Sequence, residues 1–118
     1  MAADLLALFI PLGRVAREVA AIAYLDPNRR LLGLRHLPGA TDWLHVPIRL
    51  IARDVLAFGA RAAVMAHNHP SGDATASRAD LVFTRRLTLC LDSLDVTLHD
   101  HLILAGDRVT SLRAEGYL

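Results

Sequence analysis

The stretch ARAAVMAHNHPSGDATASRAD, residues 60–80, decides the fold. Its first seven residues are apolar apart from Arg61. A short apolar run without alternation predicts a strand buried on both faces, central in a sheet. Residues 67–76 are polar and rich in turn formers, which predicts a loop. Ser77, with an acid three residues later at Asp80, opens a helix that runs to about residue 94, with apolar residues on most sides. Strand, loop and helix in that order make an α/β unit.

Working outward, residues 5–17 read as helical, with a break near Pro11 and Gly13. VAAIAYL (19–25) and RLLGLRH (30–36) read as two strands of a hairpin. The turn Asp26-Pro27-Asn28-Arg29 joins them, with proline at its second position. Residues 38–42 are loop. Pro47 suits a first helical turn, and Ile48, Ile51, Val55 and Phe58 follow at helical spacing up to Gly59. Beyond the long helix, 96–104 and 109–112 read as strands around a Gly106-Asp107 turn. The order α, β, β, α, β, α, β, β predicts a single-domain α/β sandwich over residues 1–118. Its sheet is mixed and flanked by helices, unlike a doubly wound parallel fold.

Composition removes several functions. The 118 residues suit one domain, and 53% hydrophobic against 21% charged residues describes a globular chain. Every basic residue is arginine, so a lysine nucleophile, a Schiff base and a P-loop lysine are excluded. Cys90 is the only cysteine. That excludes a disulfide framework, a multi-cysteine zinc cluster and the Cys-x-x-Cys of zinc nucleoside deaminases. A net charge of +1 gives few phosphates to neutralise, so weak or no nucleic-acid binding and no membrane partner are expected. No apolar run approaches the roughly 20 residues of a spanning helix. LLALFIPL (5–12) follows Asp4, lacks a positive flank and has no clear cleavage site, so a mature cytoplasmic chain is expected.

His67 and His69 follow the buried strand two residues apart, a spacing that points both imidazoles to one side of extended backbone. The loop then delivers Asp80. Two imidazoles and one carboxylate form a common ligand set for catalytic zinc, with the fourth position open. The site keeps net positive charge, which acidifies a bound water. Plainer readings stand beside this one. Histidines in a polar loop are commonly surface residues, and Ser77 with Asp80 serves equally as a helix cap. A capping serine can still present its hydroxyl to a substrate.

His67-x-His69-Pro70, then six residues, then Ser77-x-x-Asp80 is the signature of the JAMM (MPN-type) metallohydrolases. AHNHPSGDATAS resembles the signature loop of the bacterial RadC branch. LHDHLILAGDRVTSLRAEGYL is similar to that family's last strands and tail, and REVAAIAYLD to its first strand. The resemblance covers most of residues 17–118. It implies a zinc-dependent hydrolase of a peptide, isopeptide or related amide bond, with Zn2+ held by His67, His69 and Asp80. It further implies that Glu18, one of only two glutamates, acts as general base and acid, and that Ser77 hydrogen-bonds the oxyanion. Pro70 and Gly72 shape the loop, and Asn68 braces it. Asp100 and His101 resemble a family pair near the site, and fit a plain strand-end pair equally well. His36, His45 and His99 have no motif context. Relatives usually open the second helix with Pro-Arg-Glu where this chain has Pro47-Ile48-Arg49-Leu50, and residues 34–53 diverge generally. That divergence bears on substrate recognition more than on catalysis. Two other roles compete: a catalytically idle MPN-type interaction scaffold, and the DNA-repair factor that the RadC name suggests.

Overall fold

The structure, a computed structural model, describes residues 3–38 and 48–118. Its elements are α1 (Ala3–Phe9), a 3₁₀ turn (Ile10–Arg14), β1 (Val19–Leu25), β2 (Leu31–Pro38), α2 (Ile48–Phe58), β3 (Ala62–Asn68), α3 (Arg78–Ser93), β4 (Thr97–Ala105) and β5 (Arg108–Ser111). The strands form one sheet in the order β2-β1-β3-β4-β5. β3 and β4 run parallel, and the remaining neighbours are antiparallel. This is the mixed sheet that the element order predicts, with β3 at its centre. Pro38 ends β2, while the rest of the expected 38–42 loop, His45 and the helix-opening Pro47 lie outside the described residues.

Both faces of the sheet are covered, and β1 shows how. Ala20, Ile22 and Tyr24 join Ala63, Met65 and Leu98 on one face. Ile51 and Val55 of α2 and Phe83, Leu87 and Leu91 of α3 pack over them. Ala21, Ala23 and Leu25 join Val64, Ala66, Leu102 and Leu104 on the other face, under Phe9 and Leu12. Strands buried on both sides need no polar alternation, which is why β1 and β3 read as continuous apolar runs. α3 is more one-sided than its sequence suggests: Phe83, Leu87 and Leu91 are buried, whereas Val82 and Leu89 are exposed.

Two glycines carry the connections. Gly59 has φ 66° and ends α2. Its N–H donates to the Leu56 carbonyl (3.4 Å) while the Ala60 N–H donates to that of Val55 (2.9 Å), a Schellman closure. At Gly13 an added Cβ would lie 2.6 Å from the Gly106 carbonyl oxygen. The absence of a side chain lets the 3₁₀ turn seat against the β4–β5 turn, where the Gly106 N–H donates to the Gly13 carbonyl (3.2 Å).

One boundary matters for the site. β3 begins at Ala62 and continues to Asn68, so His67 and Asn68 are strand residues and not loop. The parallel ladder to β4 carries them, pairing His67 with Ile103 and Asn68 with Leu104. A polar residue extends a strand when a neighbour accepts its backbone, and hydropathy does not record the neighbour. The carboxyl ends of β3 and β4 thus meet the amino end of α3, where open α/β sheets place their ligand crevices.

Candidate metal centre

The site is built from three consecutive segments of the chain. β3 supplies His67, the loop after it supplies His69, and the first turn of α3 supplies Asp80. His67 and Asp80 are buried, and His69 is partly so. A donor atom from each lies within 4.8 Å of the others. His67 Nε2 is 3.0 Å from His69 Nε2 and 3.2 Å from Asp80 Oδ1, and His69 Nε2 is 3.2 Å from Asp80 Oδ2.

The far side of each imidazole fixes its tautomer. His69 Nδ1 lies 2.8 Å from the Asp73 carbonyl oxygen, which can only accept, so Nδ1 carries the proton. His67 is fixed through a longer chain. The Thr84 hydroxyl donates to the Asp80 carbonyl (2.7 Å), so its oxygen accepts from His101 Nδ1 (2.6 Å). Burial, foremost, pushes His101 well below the ordinary imidazole pKa, so the ring is neutral and its Nε2 accepts. His67 Nδ1, 2.7 Å away, therefore donates to it. The two Nε2 atoms turn toward each other and toward the Asp80 carboxylate. Such a set of converging acceptors suits a cation, and borderline nitrogen and oxygen donors suit Zn2+.

Asp80 is oriented by a reciprocal cap. Its N–H donates to Ser77 Oγ (3.0 Å), and its Oδ2 accepts from the Ser77 N–H (2.8 Å). The helix N-terminus also favours a carboxylate there. The capping and ligand roles of Asp80 are therefore compatible. The Ser77 oxygen accepts within the cap, and a hydroxyl in that role still carries a proton to donate. The loop is held as well: Asp73 Oδ1 accepts from the Thr75 N–H (2.9 Å), and hydrogen bonding from the Thr75 side chain first, then from its N–H, lowers the Asp73 carboxyl pKa.

Glu18 immediately precedes β1. The β1–β3 ladder ends where Ala20 pairs with His67, and Glu18 and His69 each lie two residues beyond that rung. Glu18, His69, Pro70, Ser77 and Asp80 line one cleft of about 300 Å³. Glu18, His69, Ser77 and Asp80 thus share one cleft, and His67 adjoins it through its contacts with His69 and Asp80. His101 touches His67 directly, whereas its neighbour Asp100 turns away and accepts from the backbone N–H groups of His101 (2.8 Å) and Arg113 (3.1 Å). Asn68 braces the segment before β1 and not the loop after it. Thr84 is a participant that sequence reasoning does not find. Its signal is position, one helical turn past Asp80 on the same face.

The sequence model of the RadC-like JAB domain matches residues 2–117. Among curated proteins, the chain is 40% identical over 104 residues to a UPF0758 protein of Cellvibrio japonicus, covering 87% of this chain and 46% of that one. A UPF0758 protein of Ruegeria pomeroyi is 46% identical over 104 residues, covering 86% of this chain and 46% of its own length. One from Vibrio cholerae is 43% identical over 108 residues, covering 91% and 68%. The chain therefore spans about half the length of the first two relatives.

Proposed function

The chain belongs to the RadC-like JAB domain family, and we propose that it is a zinc-dependent hydrolase that cleaves a peptide, isopeptide or related amide bond. The observation that carries this reading is the pair of tautomer-fixed imidazoles facing the Asp80 carboxylate, with Glu18 in the same cleft. His67, His69 and Asp80 would hold the ion. A bound Zn2+ supplies Lewis acidity and brings the pKa of water toward neutrality.

The chain's own residues do the rest. Glu18 accepts a proton from the attacking water and returns one to the leaving amine, which needs a carboxylate placed on the cleft side of β1. Ser77 donates its hydroxyl proton to the oxygen that becomes negative when the carbonyl turns tetrahedral. Pro70 and Ser71 line the cleft beside it. The substrate is an amide in a cleft open to solvent, and the working compartment is the cytoplasm.

Metal analysis and a substrate-library screen test the reading together. The purified chain should bind one Zn2+. Asp80→Asn should lose most of it, because the only anionic ligand becomes neutral. Glu18→Gln should keep zinc and lose about a hundredfold or more in turnover, within the range for general acid–base catalysis. Near-normal turnover by Glu18→Gln would overturn the mechanism. Bound zinc without turnover on any amide would favour the scaffold role.

A further inference from the structure

We propose that Asn68 is a positioning residue that sets Glu18 against the ligand loop. The inference deepens the hydrolase reading and rests on it for what Glu18 does in the cleft. Asn68 lies between His67 and His69 in sequence and is completely buried. A buried primary amide must place one acceptor and two donor hydrogens. All of them go to the segment that carries Glu18. Asn68 Oδ1 accepts from the Val19 N–H at 2.7 Å. Nδ2 donates to the Val15 carbonyl at 3.0 Å and to the Arg17 carbonyl at 2.9 Å. The partners fix the amide's orientation, since carbonyls only accept and a backbone N–H only donates.

Glu18 lies between two of these anchor points, Arg17 and Val19. Residues 15–18 belong to no helix or strand, so no regular ladder places them. The β1–β3 ladder ends at Ala20 and His67. Beyond that rung the β3 chain turns toward β4, and the His69 N–H donates to the Leu104 carbonyl (2.9 Å). The Asn68 side chain supplies the contact to β1 that the backbone no longer makes. One residue therefore ties the backbone carrying both histidines to the backbone carrying the base. Aspartate does not replace it: a carboxylate accepts from Val19 but faces two carbonyl oxygens with no proton to offer.

The test uses Asn68→Ala and Asn68→Asp in the zinc-loaded chain, with zinc content, kcat, KM and amide exchange at Val19 as readouts. Zinc stoichiometry should hold and KM should stay within about twofold. kcat per folded, loaded molecule should fall by about ten- to a hundredfold, the scale of misplacing a reacting group by roughly 1 Å. Val19 exchange should accelerate by at least about tenfold as its acceptor is lost in the alanine variant. Placed on Glu18→Gln, Asn68→Ala should cost little further turnover, because no base is left to position. The same proportional loss in both backgrounds would show a merely structural role and overturn the proposal. If the variants do not fold, the unaltered protein decides: slow exchange of the Val19 N–H and both Asn68 Nδ2 protons supports the clamp, and fast exchange overturns it. An unaltered chain with no amide turnover would defeat the hydrolase reading, while the exchange data would still report on the clamp.

Discussion

His67 and His69 reach the same tautomer by different routes, and the difference is testable. His69 depends on one carbonyl of its own loop. His67 depends on a relay through His101 and Thr84 that ends on the backbone of Asp80, itself a candidate ligand. The relay thus couples two candidate ligands from different elements. Thr84→Val keeps the shape but removes the acceptor for His101 Nδ1–H. Zinc affinity should drop by about 10- to 100-fold, the usual cost of losing a partner behind a ligating histidine. The zinc-free fold should lose about 1–3 kcal/mol for a buried donor left unsatisfied. Competition with a chromophoric chelator reads the first effect and thermal denaturation the second; unchanged zinc affinity would remove Thr84 from the site. The candidate ligands stand out in the sequence because His67, His69 and Asp80 fall together in a motif that resembles the JAMM signature. Thr84 is not legible, because a helical threonine that donates to the carbonyl four residues back looks like any other. Only the fold shows that His101 lies against its oxygen.

At the scale of elements, legibility follows from how self-contained each signal is. β1, the turn at Pro27 and the α3 cap at Ser77 rest on local chemistry, and the structure has them where the sequence predicts. The end of β3 depends on the partner strand, so it runs past the hydropathy boundary. A second feature hidden for the same reason ties β1, β2 and α2 together. Asp54 of α2 is buried and accepts from the Tyr24 hydroxyl (2.7 Å) and from Arg35 of β2 through Nε and Nη2, the latter at 2.9 Å. The bonds from Arg35, foremost, and from Tyr24 hold the Asp54 carboxyl below its ordinary pKa, against the opposing effect of burial. Burial first, and the carboxylate second, push the Tyr24 hydroxyl up, so it remains a donor. A carboxyl with a lowered folded pKa adds stability above its unfolded value and loses it as pH falls through the folded one. Asp54→Asn should therefore cost about 1–3 kcal/mol at neutral pH, held to that range because the Arg35 side chain is 39% exposed. The gap from the parent should close in acid. Urea titrations at neutral pH and near pH 3 or below check the sign; a gap that stays constant would mean the triad contributes packing and not charge.

Over the whole molecule, the charges nearly balance, with thirteen arginines against twelve acids. The net charge is +1. Arg14 pairs with Asp107 at 2.8 Å and Arg35 with Asp54, while Arg113 donates to the carbonyls of Leu98 and His99. Arg29, His99 and Arg113 do share a hollow of about 360 Å³, but buried Asp100 lines it too. In that hollow burial, and then the two guanidiniums, hold His99 below its ordinary pKa, so it adds no positive charge near neutral pH. Affinity for duplex DNA scales with the phosphates a surface neutralises, and here the arginines are nearly offset by the acids. No helix of the described residues is long and apolar enough to cross a membrane. These 118 residues should accordingly bind a labelled DNA duplex no more tightly than about 10 μM at physiological salt, within or below the range of non-specific contacts. Fluorescence anisotropy at about 50 and 200 mM salt measures both the affinity and its slope, and a shallow slope is expected because the slope counts displaced counterions. Sub-micromolar binding that weakens steeply with salt would instead mean that the surface gathers enough arginines to displace many counterions, and would revive the DNA-repair role.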